Sequence, residues 1–336
     1  MTLNFALIGT GRIGRVHAQN IMTAIPGAAI IAVADANAAS AANVATQYRI
    51  PFHSDDHMVA INQDGVDAVL IASSTDTHAP FIADAARAGK HILCEKPIAA
   101  DLPQIDAALA VVAEAGVKLQ IGFNRRFDPT FTRIKQAIDG GEVGTPHLLH
   151  IISRDPSPPP ISYIKVSGGL FFDMTVHDFD MARFLLGDVE EVYAVGGVLV
   201  DPAIGEADDI DTAIIMLRFA SGAIGTIDNS RQAVYGYDQR VEVFGSGGSA
   251  ANANLYPDTV TLSGAEAVRR GSLPMNFFLE RYMDSYRIEV EQFVAAVVND
   301  TPIPVTEADG RAPIVMAMAA KLSMTENRPV QLSEIG

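Results

Sequence analysis

Phe5-Ala6-Leu7-Ile8-Gly9-Thr10-Gly11-Arg12-Ile13-Gly14-Arg15-Val16 decides the fold. An apolar run of strand length meets three glycines in the spacing G-x-G-x-x-G, and a helical rhythm follows. In that context each glycine has a physical task. Gly9 permits a tight turn, Gly11 lets backbone approach a pyrophosphate, and Gly14 lets the helix lie close to the sheet. The helix N-terminus then offers unpaired N–H groups and a partial positive charge to phosphates.

The same alternation continues outward from this turn. Asn4–Ile8, Ala28–Ala34, Ala68–Ala72, His91–Cys94 and Lys118–Ile121 read as strands. Ile13–Met22, Ala38–Tyr48, Pro80–Ala88 and Leu102–Ala115 read as helices between them. Strand–helix alternation of this kind predicts a doubly wound parallel sheet covered on both faces, a Rossmann fold, over residues 1–122. Asp35 ends the second strand, 21 residues past Gly14 (35 − 14). A carboxylate there accepts hydrogen bonds from the adenine ribose hydroxyls and repels a 2′-phosphate, which favours NAD over NADP. Arg12 has two readings, stacking on adenine or pairing with a 2′-phosphate.

After Gly122 the pattern changes. Leu148–Ser153, Val189–Val200, Asp211–Phe219, Ala223–Asn229 and Arg240–Phe244 alternate apolar and polar residues, with Gly and Asp between them. That rhythm predicts a second, α+β domain over residues 123–336, built on a large, open, mostly antiparallel sheet. Its expected helices are Asp173–Leu186, Phe277–Val298 and Ala312–Leu322, with the C-terminal helix packing back near the first domain. Asp155–Pro160 has four prolines in six residues and reads as a stiff loop.

Composition limits the partners. The 336 residues carry 40 acidic and 24 basic side chains, a net charge of −16. A field of that sign repels phosphate backbones and anionic lipid surfaces, so neither nucleic acid nor a membrane is an expected partner. Cys94 is the only cysteine, so no intrachain disulfide can form, and the clustered Cys and His of zinc sites are absent, so no metal is expected. No apolar run approaches the ~20 residues of a membrane helix. Met1–Phe5 lacks a basic n-region, and a cytoplasmic location is the expectation.

Two further segments carry chemistry. Glu95-Lys96-Pro97 follows a strand end, where an open α/β sheet places ligands, and a lysine there can hydrogen-bond a substrate hydroxyl. Gly168-Gly169-Leu170-Phe171-Phe172-Asp173-Met174-Thr175-Val176-His177 puts a carboxylate and an imidazole at i, i+4 on one helix face. A neighbouring carboxylate fixes the tautomer of the ring, and histidine suits the removal of a proton from an alcohol.

The glycine motif, the Glu-Lys-Pro turn and the Gly-Gly…Asp-xxx-His segment, in that order, resemble the glucose–fructose oxidoreductase / inositol dehydrogenase family over essentially the whole chain. The likeness to its inositol-oxidising bacterial members rests on Ser153-Arg154-Asp155-Pro156, Ser162 to Gly169, His177 to Arg183 and Tyr235-Gly236-Tyr237-Asp238-Gln239-Arg240. The resemblance implies a catalytic triad of Lys96, Asp173 and His177. It implies cofactor contacts at Gly9, Gly11, Arg12, Ile13, Gly14, Asp35, Ser73, Ser74, Thr75, His78, Glu95 and Lys96. Substrate contacts fall on Lys96, Arg126, Asp155, Asp173, His177 and Tyr235. The implied activity is NAD-dependent oxidation of a secondary hydroxyl of a cyclic polyol, myo-inositol to 2-keto-myo-inositol, by a cytoplasmic homotetramer serving inositol catabolism. The alternatives are scyllo-inositol or an aldose as substrate and, more distantly, a dinucleotide-binding regulator without chemistry.

Overall fold

In the computed structural model, which describes residues Thr2–Gly336, β1 (Leu3–Ile8) lies at the middle of a six-stranded parallel sheet. The sheet runs β3-β2-β1-β4-β5-β6, with β2 at Ala28–Ala34, β3 at Phe52–Ser54, β4 at Ala68–Ile71, β5 at His91–Glu95 and β6 at Leu119–Gly122. The order reverses direction beside β1, and that is the doubly wound arrangement expected from the sequence. Residues of β4 are buried throughout, as a strand covered on both faces requires. The crossovers are α1 (Arg12–Ala24), α2 (Ala38–Tyr48), α3 (His57–Ile61), α4 (Thr75–Arg87) and α5 (Leu102–Ala115). Local chemistry sets their ends. Asn37 caps α2 by accepting from the N–H groups of Ala39 and Ser40, and Asp101 caps α5 through Gln104 N–H.

The chain divides into two units, the first ending at Phe127 but also taking in Met283–Ile314, the second comprising Asp128–Tyr282 and Val315–Gly336. The returning segment completes the first core. Val290, Phe293 and Val294, from the long helix Phe278–Val298, pack with Phe5, Leu7, Ile30 and Leu70. The rings of Phe5 and Phe293 lie 5.9 Å apart between centroids.

The second unit is built on a seven-stranded sheet. Its strands are β7 (Pro146–Arg154), β8 (Val189–Gly197), β9 (Thr212–Phe219), β10 (Ile224–Ser230), β11 (Asp238–Gly245), β12 (Gly248–Ala251) and β15 (Val330–Gln331), with a separate ribbon of β13 (Thr261–Leu262) and β14 (Arg270–Gly271). The order is β12-β11-β7-β10-β9-β8-β15, and every pair is antiparallel except β7 with β10. Strict alternation in β9 buries Ala213, Ile215 and Leu217 and leaves Ile214 and Met216 exposed. Helix α6 (Pro129–Asp139) starts at Asp128, whose carboxylate caps it and also takes the buried Arg281 guanidinium. Helices α7 (Ile161–Ser167), α8 (Val176–Leu186) and α9 (Pro202–Glu206) follow in sequence order.

Three differences from the sequence reading have physical causes. The helix expected from Asp173 opens with a π turn over Phe171–Thr175 before α8 proper begins. Such turns hold an extra residue per turn and are frequent at functional sites. The short α3, α7 and α9 are too brief to show a helical period. The final helix runs Glu307–Glu326 rather than Ala312–Leu322, because Gly310 and Pro313 interrupt its sequence pattern but not its backbone. No helix among the described residues is long and apolar enough to cross a membrane.

Phe293→Ala would leave a cavity against Phe5 and should lower unfolding stability by about 3–5 kcal/mol in urea titration. A loss under about 1 kcal/mol would separate the returning helix from the first unit's core.

Candidate active site

In the first unit the glycine turn is built by close approach. Gly9 has φ +95°, and a Cβ on it would stand 2.5 Å from Ala72 O at the end of β4. A Cβ on Gly14 would stand 2.0 Å from Gly9 O, so α1 can reach the turn only without one. Gly11 differs. Nothing lies within 4 Å of its Cβ position, so its lack of a side chain serves space outside the protein rather than packing. The first turn of α1 has no capping side chain and no acidic residue, which leaves its N–H donors and dipole for an anion. Arg12 is exposed and Ile13 half-buried beside them.

Asp35 sits just past β2. Its Oδ2 accepts from Thr10 N and Thr10 Oγ, both at 2.7 Å, and its Oδ1 from Asn37 N at 2.8 Å. Burial pushes its pKa up, but the hydrogen bonds from Thr10 and Asn37 and the charge of Arg15 outweigh it and hold the carboxyl below the usual range. A carboxylate has about four lone-pair positions, so acceptor capacity remains for a ribose. The residues present therefore fit a dinucleotide: an open glycine, an uncapped helix start and an ionised carboxylate at the next strand end.

The remaining first-unit residues surround the ends of β4 and β5. Ser73 Oγ and Thr77 Oγ lie 2.6 Å apart, and Ser74 and Thr75 open α4. His78 is buried, with Nδ1 at 2.7 Å from Pro97 O and Nε2 at 3.2 Å from Ser73 O. Burial holds its pKa below the ordinary value despite these carbonyls. A neutral ring can donate once, and the shorter contact puts the proton on Nδ1. His78 thereby ties the loop after β4 to the Glu95-Lys96-Pro97 turn, whose Lys96–Pro97 bond is cis. Glu95 points inward, with Oε1 at 2.8 Å from Nε2 of the buried His17. Arg126 places Nη2 at 3.0 Å from Asp309 Oδ1. Burial raises the Asp309 pKa, and the Arg126 charge and Thr306 donors more than reverse it.

In the second unit, Asp173 and His177 are the only residues from Leu170 to Ala182 that are not buried. One helical turn therefore offers a carboxylate and an imidazole on an otherwise packed face. Thr175 Oγ donates to Asn229 Oδ1 at 2.6 Å and Asn229 Nδ2 to Asp178 Oδ2 at 2.8 Å, which fixes this turn to β10. Asp155 is held through its backbone, donating to Ser230 O at 2.9 Å and accepting from Ala233 N at 2.7 Å. Tyr235 donates to Asp238 Oδ2 at 2.6 Å and accepts from Arg154 Nη1 at 3.1 Å, while Arg154 also pairs with Asp228. Burial and the Asp238 hydrogen bond raise the Tyr235 pKa against the opposing Arg154, so the phenol stays protonated near neutrality.

Sequence reasoning missed three residues here. The Asp173 carboxylate accepts from Tyr163 Oη at 2.9 Å and faces Arg231 Nη1 at 3.4 Å, and Arg231 Nη2 lies 3.5 Å from Asp209 Oδ2. Tyr163 stood inside a quoted motif, but Arg231 and Asp209 gave no periodic or motif signal.

Two glycine variants separate binding from packing. Gly11→Ala should keep the melting temperature within ~1 °C while weakening NAD binding at least ~10-fold, since its Cβ meets only ligand space. Gly14→Ala should instead lower the melting temperature by several degrees, about 4 °C or more, through its clash with Gly9 O. Calorimetry and fluorescence titration of NAD read the two effects; equal behaviour of the variants would contradict the assignment.

Comparison with known proteins gives the family of the chain. Residues 3–123 match the model of the oxidoreductase family with an NAD-binding Rossmann fold, and residues 131–251 match that of the GFO/IDH/MocA C-terminal domain. The chain is 50% identical to an uncharacterised oxidoreductase of Bacillus subtilis, over 97% of this chain and 95% of that protein. It is 46% identical to myo-inositol 2-dehydrogenase of Thermotoga maritima, over 99% of both. A crystal structure of scyllo-inositol dehydrogenase from Lactobacillus casei with bound NAD(H) and scyllo-inositol superposes with a TM-score of 0.92 at 29% identity, covering 99% of this chain and 100% of that one. The glycine turn and the Glu-Lys-Pro strand end lie inside the first matched range and the Asp173–His177 helix turn inside the second, and the chain belongs to the GFO/IDH/MocA family of NAD-binding oxidoreductases.

Proposed function

We propose that this protein is an NAD-dependent inositol 2-dehydrogenase that oxidises myo-inositol to 2-keto-myo-inositol. The observation that carries this reading is the 46% identity, over 99% of both chains, to a myo-inositol 2-dehydrogenase. NAD, when bound, supplies the hydride acceptor at its nicotinamide ring. Gly9, Gly11, Gly14 and the amides opening α1 hold the pyrophosphate, Asp35 the adenine ribose, and Ser73, Ser74, Thr75 and His78 the nicotinamide half. NAD is preferred over NADP because the ionised Asp35 would face a 2′-phosphate of like charge.

The catalytic roles follow from side-chain chemistry. Lys96 donates a hydrogen bond to the reacting hydroxyl and favours developing alkoxide charge. His177 accepts the hydroxyl proton, and Asp173 stabilises the resulting imidazolium. Arg126, Asp155 and Tyr235 are assigned to the other ring hydroxyls. Scyllo-inositol is the second substrate to weigh, because a structural relative carries that name and binds it.

The open face of the seven-stranded sheet supports an oligomer, and the family resemblance makes it a homotetramer built through these sheets. Val195, Ile214, Met216, Ile224 and Phe244 are exposed there, and apolar area of this kind on a sheet face calls for a partner. Light scattering at assay concentration should return four chains per particle, and a monomer would sink this part of the reading.

Purified protein with NAD and saturating myo-inositol at mildly alkaline pH should produce absorbance at the NADH band. NADP should give a slower rate, and scyllo-inositol and glucose identify competing specificities. His177→Ala should cut turnover by ~10²–10⁴ with NAD affinity nearly unchanged. Detectable NAD binding without turnover on any polyol would favour the regulator instead.

A further inference from the structure

Asp173 is the one carboxylate on the packed face from Leu170 to Ala182 that is not buried, and both of its oxygens are engaged from other elements. Tyr163 Oη, on α7, donates to Oδ1 at 2.9 Å. Arg231 Nη1, just past β10, lies 3.4 Å from Oδ2. Arg231 is buried, at 1% exposure. A buried guanidinium is costly unless countercharged, so its neighbours determine where it can point. Its second anchor is Asp209, 3.5 Å from Nη2.

Asp209 is in turn held by the glycine pair. Its Oδ1 accepts from Leu170 N at 3.0 Å, and a Cβ on Gly169 would stand 2.7 Å from that same oxygen. Gly169 also has φ +87°. The Gly168-Gly169 sequence thus admits Asp209, Asp209 fixes Arg231, and Arg231 faces Asp173. With both carboxylates ionised this trio carries one net negative charge, so the cation does not cancel the charge that His177 needs on protonation.

We propose that Tyr163 and Arg231 are positioning residues for Asp173, each holding one carboxylate oxygen so that the group keeps its orientation toward His177. This rests on the catalytic reading of Asp173 and His177 given above. The charged and titratable groups facing Asp173 include Tyr163 on α7 and Arg231 beyond β10, with Asp209 ahead of β9 behind Arg231 and His177 one turn further along the helix. Loss of Arg231 removes a cation that faces the Asp173 carboxylate, which stabilises the imidazolium and raises the pH at which the base becomes available. Loss of the Tyr163 hydroxyl acts in the same direction with a smaller effect.

The test is kcat and KM against pH for the full chain with NAD and myo-inositol, in Tyr163→Phe, Arg231→Gln, Arg231→Lys, Asp173→Asn and the two doubles with Asp173→Asn. Tyr163→Phe should lower kcat ~3–30-fold at nearly constant KM. Arg231→Gln should lower it ~10–100-fold and move the limb of kcat/KM by about 0.5–1 pH unit to the alkaline side. Arg231→Lys should recover part of the loss. In the Asp173→Asn background both losses should shrink to within ~3-fold, because the groups act through one carboxylate. A merely structural role would lower the melting temperature without moving the pH limb, and would leave the losses additive; either result overturns the proposal. Wild-type turnover in Asp173→Asn would instead strike the catalytic reading itself. Should Arg231→Gln fail to fold, Tyr163→Phe decides alone, since that side chain is 47% exposed, and an unchanged kcat and pH profile in it refutes the proposal.

Discussion

The contact between Gly14 and Gly9 O is the constraint on which the first unit rests. A Cβ at residue 14 would stand 2.0 Å from that oxygen. Because it is absent, α1 sits against the end of β1, and its first N–H groups point past the turn. The placement of α1 fixes Thr10, whose N–H and hydroxyl both bind Asp35 at 2.7 Å. The start of α1 and the Asp35 carboxylate are therefore tied together through Thr10. His78 joins the loop after β4 to the turn after β5, where Lys96 stands.

The second unit solves a related problem with charge. It presents a carboxylate and an imidazole on a helix that is otherwise buried from Leu170 to Ala182. An isolated carboxylate beside such packing would be free to turn. Tyr163 and the Arg231–Asp209 pair restrict it, and the glycine at residue 169 makes the space in which Asp209 sits. In both units a glycine pattern visible in the sequence has its meaning in one close approach. At Gly14 the approach is by backbone oxygen, and at Gly169 by a carboxylate.

Strand-helix alternation in the first ~120 residues was legible because most elements there are long enough to show their period, the exceptions being the three-residue β3 and the five-residue α3. The predicted strand Ala28–Ala34 and helices Ala38–Tyr48 and Leu102–Ala115 agree with the structure to the residue. Parallel pairing of β7 with β10 was not legible. Alternation in a single strand shows that one face is buried, but it contains nothing about the neighbour's direction. Nor was the contribution of Phe293 to the core around Phe5, because local periodicity is silent on partners 288 positions apart (293 − 5).

The sequence by itself determined the kinds of chemistry available: glycines spaced for a dinucleotide turn, an acid at the next strand end, a lysine at another, and an acid and a histidine one turn apart. These are local patterns, set by backbone geometry over a few residues. Only the tertiary structure decided which groups control them. Arg231 follows Asp173 by 58 residues and Asp209 by 22 (231 − 173 and 231 − 209), and neither separation corresponds to any helical or strand period. Their meeting depends on strand order and on the turn at Gly168-Gly169, through which burial makes an otherwise unmarked arginine a countercharge for two carboxylates.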